Sequence, residues 1–91
     1  MSKGRWLVYI VECKNGAYYT GITSDLARRI EEHNSGKGSR FTRAFGPVRL
    51  RWTERHRGRA SALRREAELK SWPRGEKEAL MRRSPTVSAP T

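Results

Sequence analysis

Cysteine and aspartate each occur once in this 91-residue sequence, at Cys13 and Asp25. A single cysteine excludes an internal disulfide and gives no zinc cluster. A single aspartate makes a two-metal hydrolytic site, which is carboxylate-rich, hard to assemble. No apolar run approaches the roughly 20 residues of a membrane span. The start of the chain shows no separate apolar segment with a cleavage site, so no secretory leader is expected. These absences predict a cytoplasmic protein with no membrane partner, one that could associate with the nucleoid. Acid is also scarce. Twenty Lys and Arg stand against nine Asp and Glu, a formal charge of +11. The charge is carried by the part expected to fold and not by a removable tail. It implies a polyanionic partner, most often nucleic acid. The plainer alternative is a basic, soluble surface with no specific ligand.

At this length one domain with a small core is expected, since folding buries only roughly 60–65% of the unfolded surface. Residues 1–5 read as a loose N-terminus, 6–83 as the folded unit, and 84–91, rich in Ser, Pro and Thr, as a disordered tail. Trp6 to Val11 is β-branched and aromatic and reads as a buried strand. Ala17 to Ile22 is its partner, and Asn15-Gly16 between them tolerates positive φ. A two-residue turn would set Tyr9 and Tyr19 on opposite faces. A three-residue loop, Lys14 to Gly16 with Gly16 left-handed, pairs Cys13 with Ala17. It puts Val11 opposite Tyr19 and Tyr9 opposite Gly21, so that both phenols share one face beside a glycine. The second register is the one expected.

Ser24 then reads as an N-cap, with Asp25 in the first turn of a helix reaching His33. Asn34 to Pro47 reads as a basic loop, with room for a turn of helix, anchored by Phe41 and Phe45. Val48 to Thr53 alternates Val48, Leu50 and Trp52 against Arg49, Arg51 and Thr53, the period of a half-buried strand. Ala60 to Ser71 reads as a helix ended by Trp72-Pro73. Glu76 to Arg83 reads as a short last helix with Leu80 and Met81 inward. Three strands with helices predict an α+β fold, a small three-stranded antiparallel sheet packed with helices.

Helical geometry sorts the charged residues. With Leu26 at zero, Ile30 falls at about +40°, His33 at about −20° and Arg29 at about −60°, while Arg28 faces away. Arg29 and His33 therefore lie toward the core, where an arginine is costly unless it meets an anion. Arg29 could equally pair with a carboxylate or snorkel to water, and His33 could be a packed helix-end histidine. From Ala62 at zero, Leu69 lies at about −20° and Glu66 at about +40°, whereas Glu68 points to solvent. Glu66 thus interrupts an apolar stripe. It needs a cation, a metal or several donors. A structural Glu66–Arg29 pair is one solution. A single carboxylate with several waters, which suits Mg²⁺, is the other.

The tripeptides Leu7-Val8-Tyr9 and Tyr19-Thr20-Gly21 resemble the two signatures of the GIY-YIG nucleases. The stretches Ser24 to Asn34 and Ala62 to Lys70 extend the likeness over Trp6 to Leu80. The chain resembles the small stand-alone bacterial branch of that family. The resemblance implies a GIY-YIG domain and one-metal hydrolysis of phosphodiester bonds in nucleic acid, DNA before RNA. In it Glu66 would hold Mg²⁺ or Mn²⁺ and Arg29 would stabilise charge on the phosphate. Tyr19 would help deprotonate the attacking water, Tyr9 would position it, and His33 would assist. Two positions depart from relatives such as the excision-repair nuclease. Ile22 stands where they carry a lysine after the glycine, and only Lys77 or Glu78 stands where they carry a later asparagine. Lys37, Arg40 and Arg43 in the basic loop, with Arg49 and Arg51 on the third strand, would neutralise backbone phosphates, contacts that position without specifying sequence. A non-catalytic basic nucleic-acid-binding module, or an adaptor active only with a partner protein that supplies specificity, is the rival expectation.

Overall fold

The computed structural model describes residues 6–83, apart from the side chain of Phe41. The expected loose N-terminus and disordered tail lie outside the described residues, as does the expected anchoring by the Phe41 ring. The elements are β1 (Trp6–Cys13), β2 (Tyr18–Thr23), α1 (Leu26–Asn34), α2 (Arg40–Phe45), β3 (Val48–His56), α3 (Arg59–Lys70) and α4 (Arg74–Arg83). The strands form one antiparallel sheet in the order β2-β1-β3. Over the described residues the fold is therefore α+β, a three-stranded antiparallel sheet with four helices.

The hairpin takes the expected register. Gly16 sits at φ 89°, Cys13 N donates to Ala17 O at 2.8 Å, and Gly16 N donates to Cys13 O at 2.8 Å. Val11 stands opposite Tyr19, and Tyr9 opposite Gly21. The strand alternation then builds two cores. On one face Val8, Ile10 and Trp52 pack with Ala62 and Leu69 of α3 and Leu80 and Met81 of α4. On the other, Tyr9, Val11, Cys13 and Val48 pack with Tyr19, Leu50, and Leu26 and Ile30 of α1. Leu69 is wholly buried, worth roughly 2 kcal/mol of transfer free energy.

Two local expectations are corrected, and the helical turn allowed in the basic loop is found. Trp52 does not share a face with Val48 and Leu50. Ile10 pairs with Trp52 but Val11 with Leu50, so Arg51 is an inserted residue and β3 bulges there. One extra residue reverses the face of all that follows, and the strand continues to His56. The cap of α1 is Asp25 rather than Ser24, because its carboxylate accepts from Arg28 N at 3.2 Å. The basic loop holds a six-residue helix, α2, opened by a capping box in which Ser39 Oγ accepts from Thr42 N and Thr42 Oγ1 accepts from Ser39 N. Phe45 at the end of α2 is 40% exposed. It ties the segment down by its carbonyl, which accepts from Lys14 N at 2.9 Å.

Candidate active site

Tyr9 is fully buried at the centre of the sheet. Its ring lies across Gly21, where a Cβ would stand 2.5 Å from Tyr9 Oη and 2.7 Å from Cζ. Glycine at this position is what lets the phenol lie flat across β2. The hydroxyl meets two groups from α1. His33 Nε2 is 2.8 Å away, and Arg29 Nε donates to the hydroxyl at 3.4 Å. Arg29 is fixed from its other side by Glu32, Nη1 donating to Oε1 at 3.0 Å. The helical spacing of Arg29 and His33 thus does what the sequence predicts, turning both toward one phenol.

His33 is 1% exposed. Its Nδ1 lies 2.7 Å from Thr42 Oγ1 of α2, and Gly38 leaves room for the ring, since a Cβ there would stand 2.3 Å from Nδ1. Arginine can only donate, so the Tyr9 oxygen accepts from Arg29. One arrangement then gives every proton an acceptor: Tyr9 O–H donates to Nε2, and Nδ1–H donates to Thr42 Oγ1. We assign this neutral tautomer from the hydrogen-bond network. Burial, with Arg29 nearby, holds the His33 imidazole below the usual histidine range, against a weaker pull from Glu32. Burial also pushes the Tyr9 phenol above its ordinary value, only partly offset by Arg29. In this arrangement the Tyr9 hydroxyl donates a hydrogen bond to His33 and accepts one from Arg29.

Tyr19 joins the group on the same face, its ring centroid 6.4 Å from that of Tyr9 and edge-on to His33 at 5.3 Å. Tyr18 points the other way, its hydroxyl donating to Glu78 at 3.0 Å under the guanidinium of Arg74. α3 packs against β1 and β2. From it, Lys70 Nζ stands 6.0 Å from the Tyr19 ring centroid and 3.3 Å from Glu66 Oε2. The Glu66 side chain is 18% exposed, and its charge is felt at the Tyr9 hydroxyl. The alternative Glu66–Arg29 pair does not form, since Arg29 pairs with Glu32 and Glu66 with Lys70. Glu68 lies on the solvent side as expected, bonded to Arg65.

Among the described residues no cluster of three or more His, Cys, Asp or Glu is placed to hold a metal. One half-buried carboxylate does not suit zinc. It fits a hard cation that keeps most of its water, and Glu66 is the residue that would hold it.

The basic residues divide between the two faces. Lys37, Arg40 and Arg43 are exposed on α2 and the loop before it, beside the helix face that carries His33 and Thr42. Arg49 and Arg51 instead bond Glu12, which shares the Val8 and Ile10 face. Arg51 borders α4 through Glu78, Met81 and Arg82. The sheet therefore separates this pair from Tyr9, Tyr19 and His33. Of the departing positions, Ile22 packs into the α3–α4 core, and Glu78 is engaged by Tyr18 and Arg74.

Sequence reasoning misses Thr42, Glu32 and Lys70. The signals were present: Ser39 and Thr42 have capping-box spacing, and Lys70 follows Glu66 by one helical turn.

A GIY-YIG catalytic-domain family model matches residues 5–79. A UPF0213 protein of Halobacterium salinarum is 49% identical over 73 residues, covering 80% of this chain and 95% of its own. A UPF0213 protein of Bacillus cereus is 42% identical over 83 residues, covering 91% and 86%. The solution NMR structure of the UPF0213 protein BH0048 from Bacillus halodurans superposes with a TM-score of 0.58 at 45% identity, covering 88% of this chain and 85% of that one.

Proposed function

We propose, from the premise that this chain belongs to the GIY-YIG catalytic-domain family, that it is a metal-dependent endonuclease hydrolysing phosphodiester bonds, with DNA the favoured substrate. The observation that supports this best is the bonded series Arg29–Tyr9–His33–Thr42, set against Tyr19 on one sheet face. A merely structural arginine would be matched by its carboxylate alone. Arg29 instead keeps a donor on a buried phenol whose proton is already committed.

Each side chain then has a task. Arg29 faces the charge that develops on the phosphoryl oxygens, the largest requirement in such reactions. Tyr9 keeps its proton, donating a hydrogen bond to His33, and orients the attacking water with the lone pair left after Arg29. Tyr19 is the group that takes the water's proton. Lys70 places a cation beside the Tyr19 ring. Mg²⁺ or Mn²⁺ bound at Glu66 would supply Lewis-acid stabilisation of the leaving oxygen. Lys37, Arg40 and Arg43 carry the flanking phosphates on the same face. A partner protein that adds specificity, and a cytoplasmic setting, are compatible with this scheme. No described helix is long and apolar enough to cross a membrane.

The test is divalent-metal-dependent nicking of duplex, single-stranded and branched DNA and of RNA, with Arg29→Ala as the control. Cleavage that needs both the metal and Arg29 supports the proposal. Binding without any cleavage would favour a non-catalytic basic module.

A further inference from the structure

Beside Arg29, a cleft of about 330 Å³ opens between the start of α1 and the start of α3. One wall is apolar, made by Trp6 and Ile22. The Arg59 guanidinium stands 5.7 Å from the Trp6 ring centroid. The opposite wall carries Arg28 and Arg29, both held by Glu32, which accepts from Arg28 Nε at 3.2 Å and from Arg29 Nη1 at 3.0 Å. An aromatic ring paired with a cation, facing two pinned guanidiniums, is a stacking platform with phosphate donors around it. Asp25, on the rim, caps α1 through one carboxylate oxygen and has the second to accept from a base amino group.

Size and placement narrow the occupant. The volume is at the small end of ligand sites and suits one nucleotide, whereas a base inside a duplex cannot reach such a wall without leaving its stack. Arg29 both lines the cleft and donates to Tyr9, so the occupant adjoins the phosphate that Arg29 serves. We propose that this cleft binds an unpaired nucleotide flanking the scissile phosphate, its base on Trp6 and its phosphate between Arg28 and Arg59. This rests on the nuclease reading above and narrows it, because the substrate must then be single-stranded, or carry a flap or branch, at the point of cleavage.

Binding without metal separates the two ideas. The probe is a short single-stranded oligothymidylate, compared with the same strand carrying one abasic position and with a blunt duplex, at fixed salt. The intact strand should shift the Trp6 indole N–H resonance, identified by its loss in Trp6→Phe. Removing one base should weaken binding about tenfold, as expected for one stacked base. Trp6→Leu should erase the difference between intact and abasic strands while leaving duplex binding and its salt dependence in place. Arg59→Gln, at an exposed position, should reduce the difference without perturbing the fold, and covers the case in which Trp6→Leu does not fold. Equal affinity for intact and abasic strands, or an unmoved Trp6 signal at saturation, would overturn the proposal. Base discrimination without cleavage would leave the cleft standing and remove the nuclease. Metal-dependent cleavage without discrimination would do the reverse.

Discussion

Tyr9 is constrained by three neighbours, each for a different reason: Gly21 gives it space, Arg29 donates to it and His33 accepts its hydrogen bond. Gly21→Ala would place a methyl group inside the Tyr9 hydroxyl contact. It should cost about 1–3 kcal/mol, the usual scale for overpacking a buried site, read from the denaturant midpoint. Cleavage per folded molecule should fall further, because the phenol must leave His33. A stable, fully active Gly21→Ala would show that the Tyr9 position is not critical. His33 gives a pH signature. Tyr9 faces it from β1, Tyr19 from β2, Arg29 and Glu32 from α1, and Thr42 from α2. Its folded pKa lies below the unfolded value near 6.5, so below that pH the unfolded chain binds the proton first. Stability from neutral His33 is thus present above about pH 6.5 and declines as pH falls toward the lower folded value. A His33→Gln variant should lose that slope in melting curves taken across this window. An unchanged slope would mean that another group titrates there. The grouping of these residues is legible in the amino-acid sequence. The Asn15-Gly16 turn chooses the register, and helical spacing turns Arg29 and His33 inward. The proton direction is not legible there, because it depends on Thr42, which sequence separation hides.

Two elements behave differently from their patterns. β3 reads as uniform alternation, yet the bulge at Arg51 moves Trp52 to the α3–α4 core. A bulge leaves little trace in a short apolar–basic sequence, since arginine is as plausible in an inserted position as in an exposed one. α2 is hidden by glycines on either side of its short span. Its capping box is what holds Thr42 under His33, so the helix is part of the site and not only a connection. Thr42→Val keeps the volume but removes the oxygen that serves Ser39 N and His33 Nδ1. The expected loss is roughly 1–2 kcal/mol of stability, from a broken cap and a stranded buried donor. Nicking should also fall, more than for Ser39→Ala, which disturbs the cap alone. Equal effects of the two variants would show that the His33–Thr42 bond has no role beyond holding α2.

At the scale of the molecule, a charge of +11 on 91 residues should make nucleic-acid affinity fall steeply with salt as phosphates release counterions. The structure divides the contributors. Lys37, Arg40 and Arg43 lie on the site's side of the sheet, while Arg49 and Arg51 are matched by Glu12 behind it. Replacing the first three with glutamine should therefore flatten the plot of log affinity against log salt by up to about 3 units, and replacing Arg49 and Arg51 should flatten it less. The opposite ranking would put the nucleic acid on the α4 face. The same division bears on Glu66, the residue on which the enzyme reading depends. Its side chain is 18% exposed and its ion-pair partner Lys70 is 53% exposed, so losing the pair should shift stability by no more than about 1 kcal/mol. The most direct measurement is Mg²⁺-dependent nicking by Glu66→Gln beside the wild-type chain, with DNA binding and a melting curve on the same samples. The account predicts that nicking collapses while binding holds or tightens and the fold is kept. Wild-type nicking by a folded Glu66→Gln chain would contradict it.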